Sequence, residues 1–327
     1  MKRASKPFSR TATRSPGRTC TTEGNDMELG MIGLGRMGAN MAERLVRGGH
    51  RVVGFDRNAS SRKAAEEKGA ESAASLDALV VALAPPRTLW LMVPAGAAVD
   101  EVIAGLLPQL AAGDILVDGG NSNYKDTLRR AEVLAGKRIG YVDCGTSGGI
   151  WGLAKGYSMM IGGDAPAVER LRPVFETLAP APDRGWGRVG PAGAGHFAKM
   201  VHNGIEYGLM QAYAEGFSIL RHKSEFAVDL HQVAEIWRHG SVVRSWLLDL
   251  TSAALEKNPN LEGIAPYVAD SGEGRWTVAE AIDLDVPAPA ITLSLLARLR
   301  SRDAGSFSDK LLSAMRHQFG GHEIRKE

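Results

Sequence analysis

Two patterns of apolar and polar positions divide the chain. From Glu28 to about residue 190, short apolar runs alternate with amphipathic stretches. Leu29–Ile32, Arg51–Phe55, Thr88–Val93, Ile115–Val117, Ile139–Val142 and Tyr157–Ile161 read as strands, each ending in turn residues. The stretches after the first and third of these have helical spacing, to Arg47 and to about Leu107. Such alternation predicts a parallel, doubly wound sheet. Beyond Gly187–Pro191 the strand signals stop and a 3.6-residue period takes over. It predicts helices over Gly195–Arg221, Leu230–Arg238, Val243–Leu255, Val278–Ile282, Ala288–Arg300 and Asp309–Phe319. The expected organisation is therefore a Rossmann-type α/β domain over 27–190 and an all-helical domain with a C-terminal tail over 191–327.

Within the first pattern, Gly33-Leu34-Gly35-Arg36-Met37-Gly38 follows a strand and opens a helix, the context that gives G-x-G-x-x-G its meaning. The first glycine makes the turn, the second lets a pyrophosphate approach the backbone, and the third packs helix on strand. The next strand ends at Asp56, where a carboxylate accepts from ribose hydroxyls and repels a 2′-phosphate, favouring NAD. The neighbouring Arg57 leaves NADP open, since its guanidinium can stack on adenine or meet that phosphate. Ligands of doubly wound sheets sit beyond the carboxyl ends of the strands. Val93, with Pro94 and Ala95 after it, Asn121 and Ser147-Gly148-Gly149 all fall there, as candidate cofactor or substrate contacts. Each is also ordinary turn chemistry.

Within the second pattern, Lys199, His202, Asn203, Glu206 and Tyr207 are spaced i, i+3, i+4, i+7, i+8, one stripe of a helix. Met200, Val201, Ile205, Leu209 and Met210 occupy its other faces, with Gly204 and Gly208 placed for close approach, so the helix is expected to be buried. Amine, imidazole, amide, carboxyl and phenol on a buried helix are costly unless they meet each other or a ligand. The stripe is an active site or an internally satisfied packing network.

Composition narrows the function classes. Of 327 residues, 44% are hydrophobic and 23% charged, as in an ordinary globular protein. The net charge of +2 hides an uneven distribution, for Lys2, Arg3, Lys6, Arg10, Arg14 and Arg18 stand in the first 18 positions. The rest is slightly acidic, with no basic patch for nucleic acid. Residues 1–26 are expected to be a disordered basic arm or an extension ahead of a natural start at Met27; their composition also resembles a transit peptide. No apolar run approaches the ~18–20 residues a membrane span needs. Two cysteines, Cys20 and Cys144, fit a reducing compartment, and the cytoplasm is the expected location. Neither a Cys/His metal spacing nor a nucleophilic serine elbow is apparent.

Taken together, Gly33–Gly38, Asp118-Gly119-Gly120-Asn121-Ser122, Ser147–Gly149, the Lys199–Tyr207 stripe, Gly274-Arg275-Trp276-Thr277 and Arg316 with His322 six positions on resemble the decarboxylating 6-phosphogluconate dehydrogenases. The chain looks like the short branch of that family, with one helical domain where the longer branch has a roughly doubled one. It departs from the longer branch at Arg275, which stands where a lysine precedes the Trp-Thr pair. The resemblance implies NAD or NADP as cofactor and 6-phosphogluconate as substrate. It implies Lys199 as general base, with a lowered pKa, and Glu206 as general acid, held protonated by burial. His202 and Asn203 would orient hydroxyls, and Ser147–Gly149 the carboxylate end. Tyr207, Arg275 and Arg298 would hold the phosphate. It further implies a homo-oligomer in which Arg316 and His322 complete a neighbouring site. Two other readings are a 3-hydroxyisobutyrate-type dehydrogenase, which needs no second proton donor, and a non-catalytic nucleotide-binding regulator.

Overall fold

The computed structural model describes residues 26–325, so the expected arm over 1–26 lies almost wholly outside the described residues. Eight strands form one sheet: β1 (Glu28–Ile32), β2 (Arg51–Phe55), β3 (Glu71–Ser72), β4 (Thr88–Leu91), β5 (Ile115–Asp118), β6 (Gly140–Ser147), β7 (Ser158–Gly162) and β8 (Trp186–Gly190). Their order is β3-β2-β1-β4-β5-β6-β7-β8, so the chain reverses direction across the sheet between β1 and β4. Helices α1 (Arg36–Arg47), α2 (Ala59–Glu66), α3 (Leu76–Val81), α4 (Ala97–Leu106) and α5 (Tyr124–Ala135) link the parallel strands. Short helices α6 (Gly152–Lys155), α7 (Ala165–Arg170) and α8 (Arg172–Leu178) link β6, β7 and β8.

Apolar side chains alternate between two covered faces. Leu89 and Leu91 of β4 join Leu79, Val99 and Ile103 on one side, and Trp90 joins Met41, Leu45 and Phe175 on the other. A sheet covered on both faces has continuously apolar strands, which is why these runs were legible. The expected parallel, doubly wound sheet is found, with β7 running antiparallel to β6, Thr146 opposite Met159. One expectation needs correction: β6 does not end at Val142 but continues through Asp143-Cys144-Gly145-Thr146 to Ser147. That polar, glycine-bearing sequence resembles a turn, yet it is buried because a helix lies across it.

That helix is α9 (Ala194–His222), followed by α10 (Leu230–Arg238), α11 (Trp246–Lys257), α12 (Glu273–Asp283), α13 (Pro289–Arg300) and α14 (Phe307–Gly320). β8 ends at Gly190 and α9 begins at Ala194, flanking the expected boundary. α10 matches its expected bounds, and α11 starts at Trp246 because the Ser245 hydroxyl caps it, accepting from the Leu248 N–H. α12 begins five residues before Val278, since Gly274 hid its first turn. α9 is not buried throughout: Ile205, Leu209 and Met210 are exposed. Gly204 packs on Thr277 as expected of a close approach, whereas no atom approaches Gly208. Among the described residues no helix is long and apolar enough to cross a membrane.

Candidate active site

The nucleotide end is built by the β1–α1 turn. Gly33 has φ +93°, a conformation open to glycine. A Cβ on Gly38 would overlap the Gly33 carbonyl oxygen, while around Gly35 nothing lies within 4 Å. The turn therefore has its tight glycine, its packing glycine and an open one where a phosphate can reach the backbone. α1 has no side-chain cap, leaving the N–H groups of its first turn to an anion. Asp56 at the end of β2 accepts the Leu34 N–H (2.8 Å) and the Asn58 N–H (2.8 Å), fixing its carboxylate beside the glycine turn. These groups fit an adenine dinucleotide. Arg57 is held by Glu101 at 2.9 Å, on the surface. Arg36 is exposed, and Met37 turns into the cleft below.

Two further loops reach the same edge, and a buried arginine that the sequence reading overlooked ties them together. Arg130 of α5 is 2% exposed; its Nη2 donates to the Gly96 carbonyl (3.0 Å), fixing the loop after Val93-Pro94-Ala95. Its Nη1 donates to Ser122 Oγ (3.3 Å), whose own hydroxyl donates to Asp118 (2.7 Å). Tyr141 completes this network by donating to Asp118 (3.1 Å), and Asn121 stands exposed at its tip.

The substrate end lies where α9 crosses β6. Asp143 accepts the Gly193 N–H (2.7 Å) and the His196 N–H (2.8 Å), so a β6 carboxylate caps the first turn of α9 and favours its dipole. A Cβ on Gly145 would overlap that of Lys199, and one on Gly195 would press on the Met160 and Asp143 carbonyls. Glycines on both sides thus let helix and strand touch, and set Lys199 over the strand that leads into Ser147-Gly148-Gly149.

Lys199, His202, Asn203 and Glu206 face a cleft of about 990 Å³ together with Ser147, Gly148, Gly149 and Asn121. Lys199 is 6% exposed; burial pushes its amine below the usual lysine range, against the opposing pull of the Glu206 and Glu273 carboxylates. Its Nζ lies 3.4 Å from His202 Nδ1, which is 3.1 Å from Asn203 Oδ1. Glu206 Oε2 is 3.9 Å from the same nitrogen, and its side chain is 39% exposed. Burial of Glu206, expected above, is therefore not found in the single chain. Ile150, Trp151 and Trp246 also line the cleft, and sequence spacing gave no sign of them. Cys144 is fully buried, its thiol pushed up to about 12, as suits an inert packing residue.

Tyr207 departs from the stripe. It packs beneath Gly274 with its hydroxyl accepting the Ser271 N–H (3.3 Å). The Arg298 guanidinium lies 3.6 Å over its ring and donates to the Ala269 carbonyl. Arg275 lies near the Tyr207 phenol while holding Asp270 at 3.0 and 3.1 Å. The three expected phosphate ligands thus gather with one another, behind the cleft rather than on its wall. Arg316 and His322 are exposed, on α14 and just after it, and neither lines the cleft of its own chain.

The two halves that meet at this cleft each have a counterpart among known proteins. Residues 28–187 match the NAD binding domain of 6-phosphogluconate dehydrogenase, and 195–306 match the C-terminal domain of the same enzyme. An NAD(+)-dependent, decarboxylating 6-phosphogluconate dehydrogenase of Haloferax volcanii is 46% identical over 302 residues, covering 92% of this chain and 99% of that one. Among solved structures, Plasmodium falciparum 6-phosphogluconate dehydrogenase superposes with a TM-score of 0.78 at 30% identity, over 92% of this chain and 66% of that one. Mycobacterium tuberculosis 3-hydroxyisobutyrate dehydrogenase has the same fold, with a TM-score of 0.69 at 22% identity. With matches across both halves and 46% identity over 92% of its length to a relative covered almost whole, the chain belongs to the 6-phosphogluconate dehydrogenase family.

Proposed function

We propose that this protein oxidises and decarboxylates 6-phosphogluconate to ribulose 5-phosphate and CO2 with NAD as cofactor. The observation that carries this reading is a buried, deprotonation-prone Lys199 in one cleft with Glu206 and the Ser147–Gly149 turn. NAD supplies the hydride acceptor. Lys199 Nζ takes the proton of the C3 hydroxyl as the C3–H bond electrons leave. The resulting 3-keto acid loses its carboxylate as CO2, and the electron pair passes toward the C3 oxygen, held beside the Lys199 ammonium. Glu206 then protonates the enediol carbon that becomes C1 of the product. His202 and Asn203 orient the sugar hydroxyls, and the N–H groups of the Ser147–Gly149 turn receive the carboxylate. Tyr207, Arg275 and Arg298 would hold the phosphate once the cleft opens toward them, with Arg275 exchanging part of its hold on Asp270 for the ligand and Arg298 leaving the Tyr207 ring.

Domain roles follow: 27–190 binds the dinucleotide and 191–327 binds substrate and mediates assembly. A homo-oligomer belongs to this reading. Ile205, Leu209 and Met210 on α9 and Leu311, Leu312 and Met315 on α14 are exposed apolar side chains that a second copy would cover. The same partner would bring Arg316 and His322 to the half-open side of the cleft and enclose Glu206. Steady-state kinetics with 6-phosphogluconate and with 3-hydroxyisobutyrate, each with NAD and NADP, test the reading. Turnover of 6-phosphogluconate with a preference for NAD is expected. Efficient turnover of 3-hydroxyisobutyrate alone, or none of either, would refute it.

A further inference from the structure

Glu273 has no part in the chemistry described so far, yet it is one of the most deeply buried carboxylates beside the cleft, at 4% exposure. It is the first residue of α12, and that helix is fastened to α9 within a residue of Lys199. The Thr277 hydroxyl is shared between the Glu273 carbonyl and the Met200 carbonyl, each oxygen 2.8 Å away. Gly204 and Gly274 remove the Cβ atoms that would hold the two helices apart, the first against Thr277 and the second against the Tyr207 ring. Glu273 is thereby set beside the turn that carries Lys199. Its carboxylate accepts from the Ser271 hydroxyl. A buried carboxylate held by one hydroxyl is costly without a nearby cation. Asp270 already occupies Arg275, and Arg298 is stacked on Tyr207. Lys199, one residue from the Met200 carbonyl that Thr277 holds, is the buried cation on the facing turn of α9, and Glu273 is among the carboxylates that act on it.

We propose that Glu273 is a positioning residue for the base: a second carboxylate, behind Lys199, that stabilises the ammonium formed when Lys199 takes the hydroxyl proton. The inference rests on Lys199 being the base of the proposed reaction. The proton passes from the substrate oxygen to Lys199 Nζ and no further; Glu273 exchanges no proton and offsets the new positive charge through space. Other ionisable groups facing the amine are few. His202 and Glu206 lie on its own helix, and Glu273 is the contribution of α12. β6 faces it with Gly145 and Thr146, and its nearest carboxylate, Asp143, is engaged by the Gly193 and His196 N–H groups.

Glu273→Gln removes the charge and keeps the shape. The acid limb of kcat/KM should then move to lower pH by roughly 0.5–1 unit, because the ammonium loses a stabilising neighbour. The plateau should fall about two- to tenfold, because the base is weaker. Glu273→Asp should keep the limb near its wild-type position. Glu273→Thr, a second neutral variant of different shape, should move it as Gln does. Acylation of Lys199 by an amine-directed reagent, followed by peptide mass spectrometry across pH without substrate, reads the same titration independently of turnover. A wrong substrate assignment would leave that labelling profile intact, so the two failures are distinguishable. A limb and labelling profile unmoved in both neutral variants, or moved upward, would overturn the proposal and leave Glu273 a packing residue.

Discussion

At the scale of the residue, one stripe of a helix has divided into two jobs. Lys199, His202, Asn203 and Glu206 face the cleft, whereas Tyr207 leaves it for Arg298 and Gly274. The 3.6-residue spacing puts the first four on one face of α9, and the cleft follows that face. The same spacing says nothing of where Tyr207 turns or of Glu273, because both depend on the contact between α9 and α12, about seventy positions apart in the chain. Lys199→Met should lower turnover by at least ~10²–10⁴-fold, the contribution of a general base. It should also raise the melting temperature at neutral pH. The Lys199 amine is depressed in the fold, so the folded state binds fewer protons than the unfolded one and stability rises with pH through that window. The gain from Met should accordingly shrink in alkali, and a variant that melts lower than wild type at every pH would contradict this. Glu206→Gln should slow overall turnover ~10²-fold or more while sparing reduction of a 3-keto analogue. Asp56→Asn should shift the kcat/KM ratio toward NADP, since repulsion of a 2′-phosphate is lost. A wild type already preferring NADP tenfold would contradict it.

Among elements, the best-read were those whose pattern answers to a single neighbour. Strands buried on both faces gave uninterrupted apolar runs, and α10, an amphipathic surface helix, kept its bounds. β6 was cut short because its second half answers to a neighbour in another domain: Asp143 and Gly145 serve α9, so the segment carries polar and glycine residues instead of an apolar run. β1 has a comparable tie at its start. His50, just before β2, accepts the Met27 N–H on Nδ1 (3.0 Å) and has Nε2 2.8 Å from the Thr177 hydroxyl. This geometry requires a neutral ring with its proton on Nε2. Burial lowers its pKa below the usual 6.5, against an upward pull from Asp26. The stability from this tie is therefore present above about pH 6.5 and lost as pH falls through the lower folded value. Thermal melts from pH 7.5 to 5 should show that loss, and His50→Gln should flatten it; an equal slope in both would refute the role.

For the whole molecule, the single chain leaves its site half open and its helical half incompletely covered. The family resemblance implies that Arg316 and His322 complete a neighbouring site; nothing local in the sequence distinguishes a tail that folds back from one that crosses over. In the structure α14 ends with Gly321 in the left-handed region at φ +64°, His317 Nδ1 lies 2.8 Å from the His322 carbonyl, and none of the described tail residues lines the cleft. Co-refolding inactive Lys199→Ala with inactive Arg316→Ala/His322→Ala should restore part of the activity, since some mixed sites receive both an intact base and an intact tail. Full activity in a chain truncated before Arg316 would exclude the exchange. What distinguishes the central claim from its nearest rival is the fate of the carboxylate. The most direct measurement supplies 6-phosphogluconate labelled at C1 and counts the CO2 released against the NADH formed. Oxidative decarboxylation predicts one labelled CO2 per NADH throughout the reaction; NADH that accumulates without labelled CO2 would contradict the account.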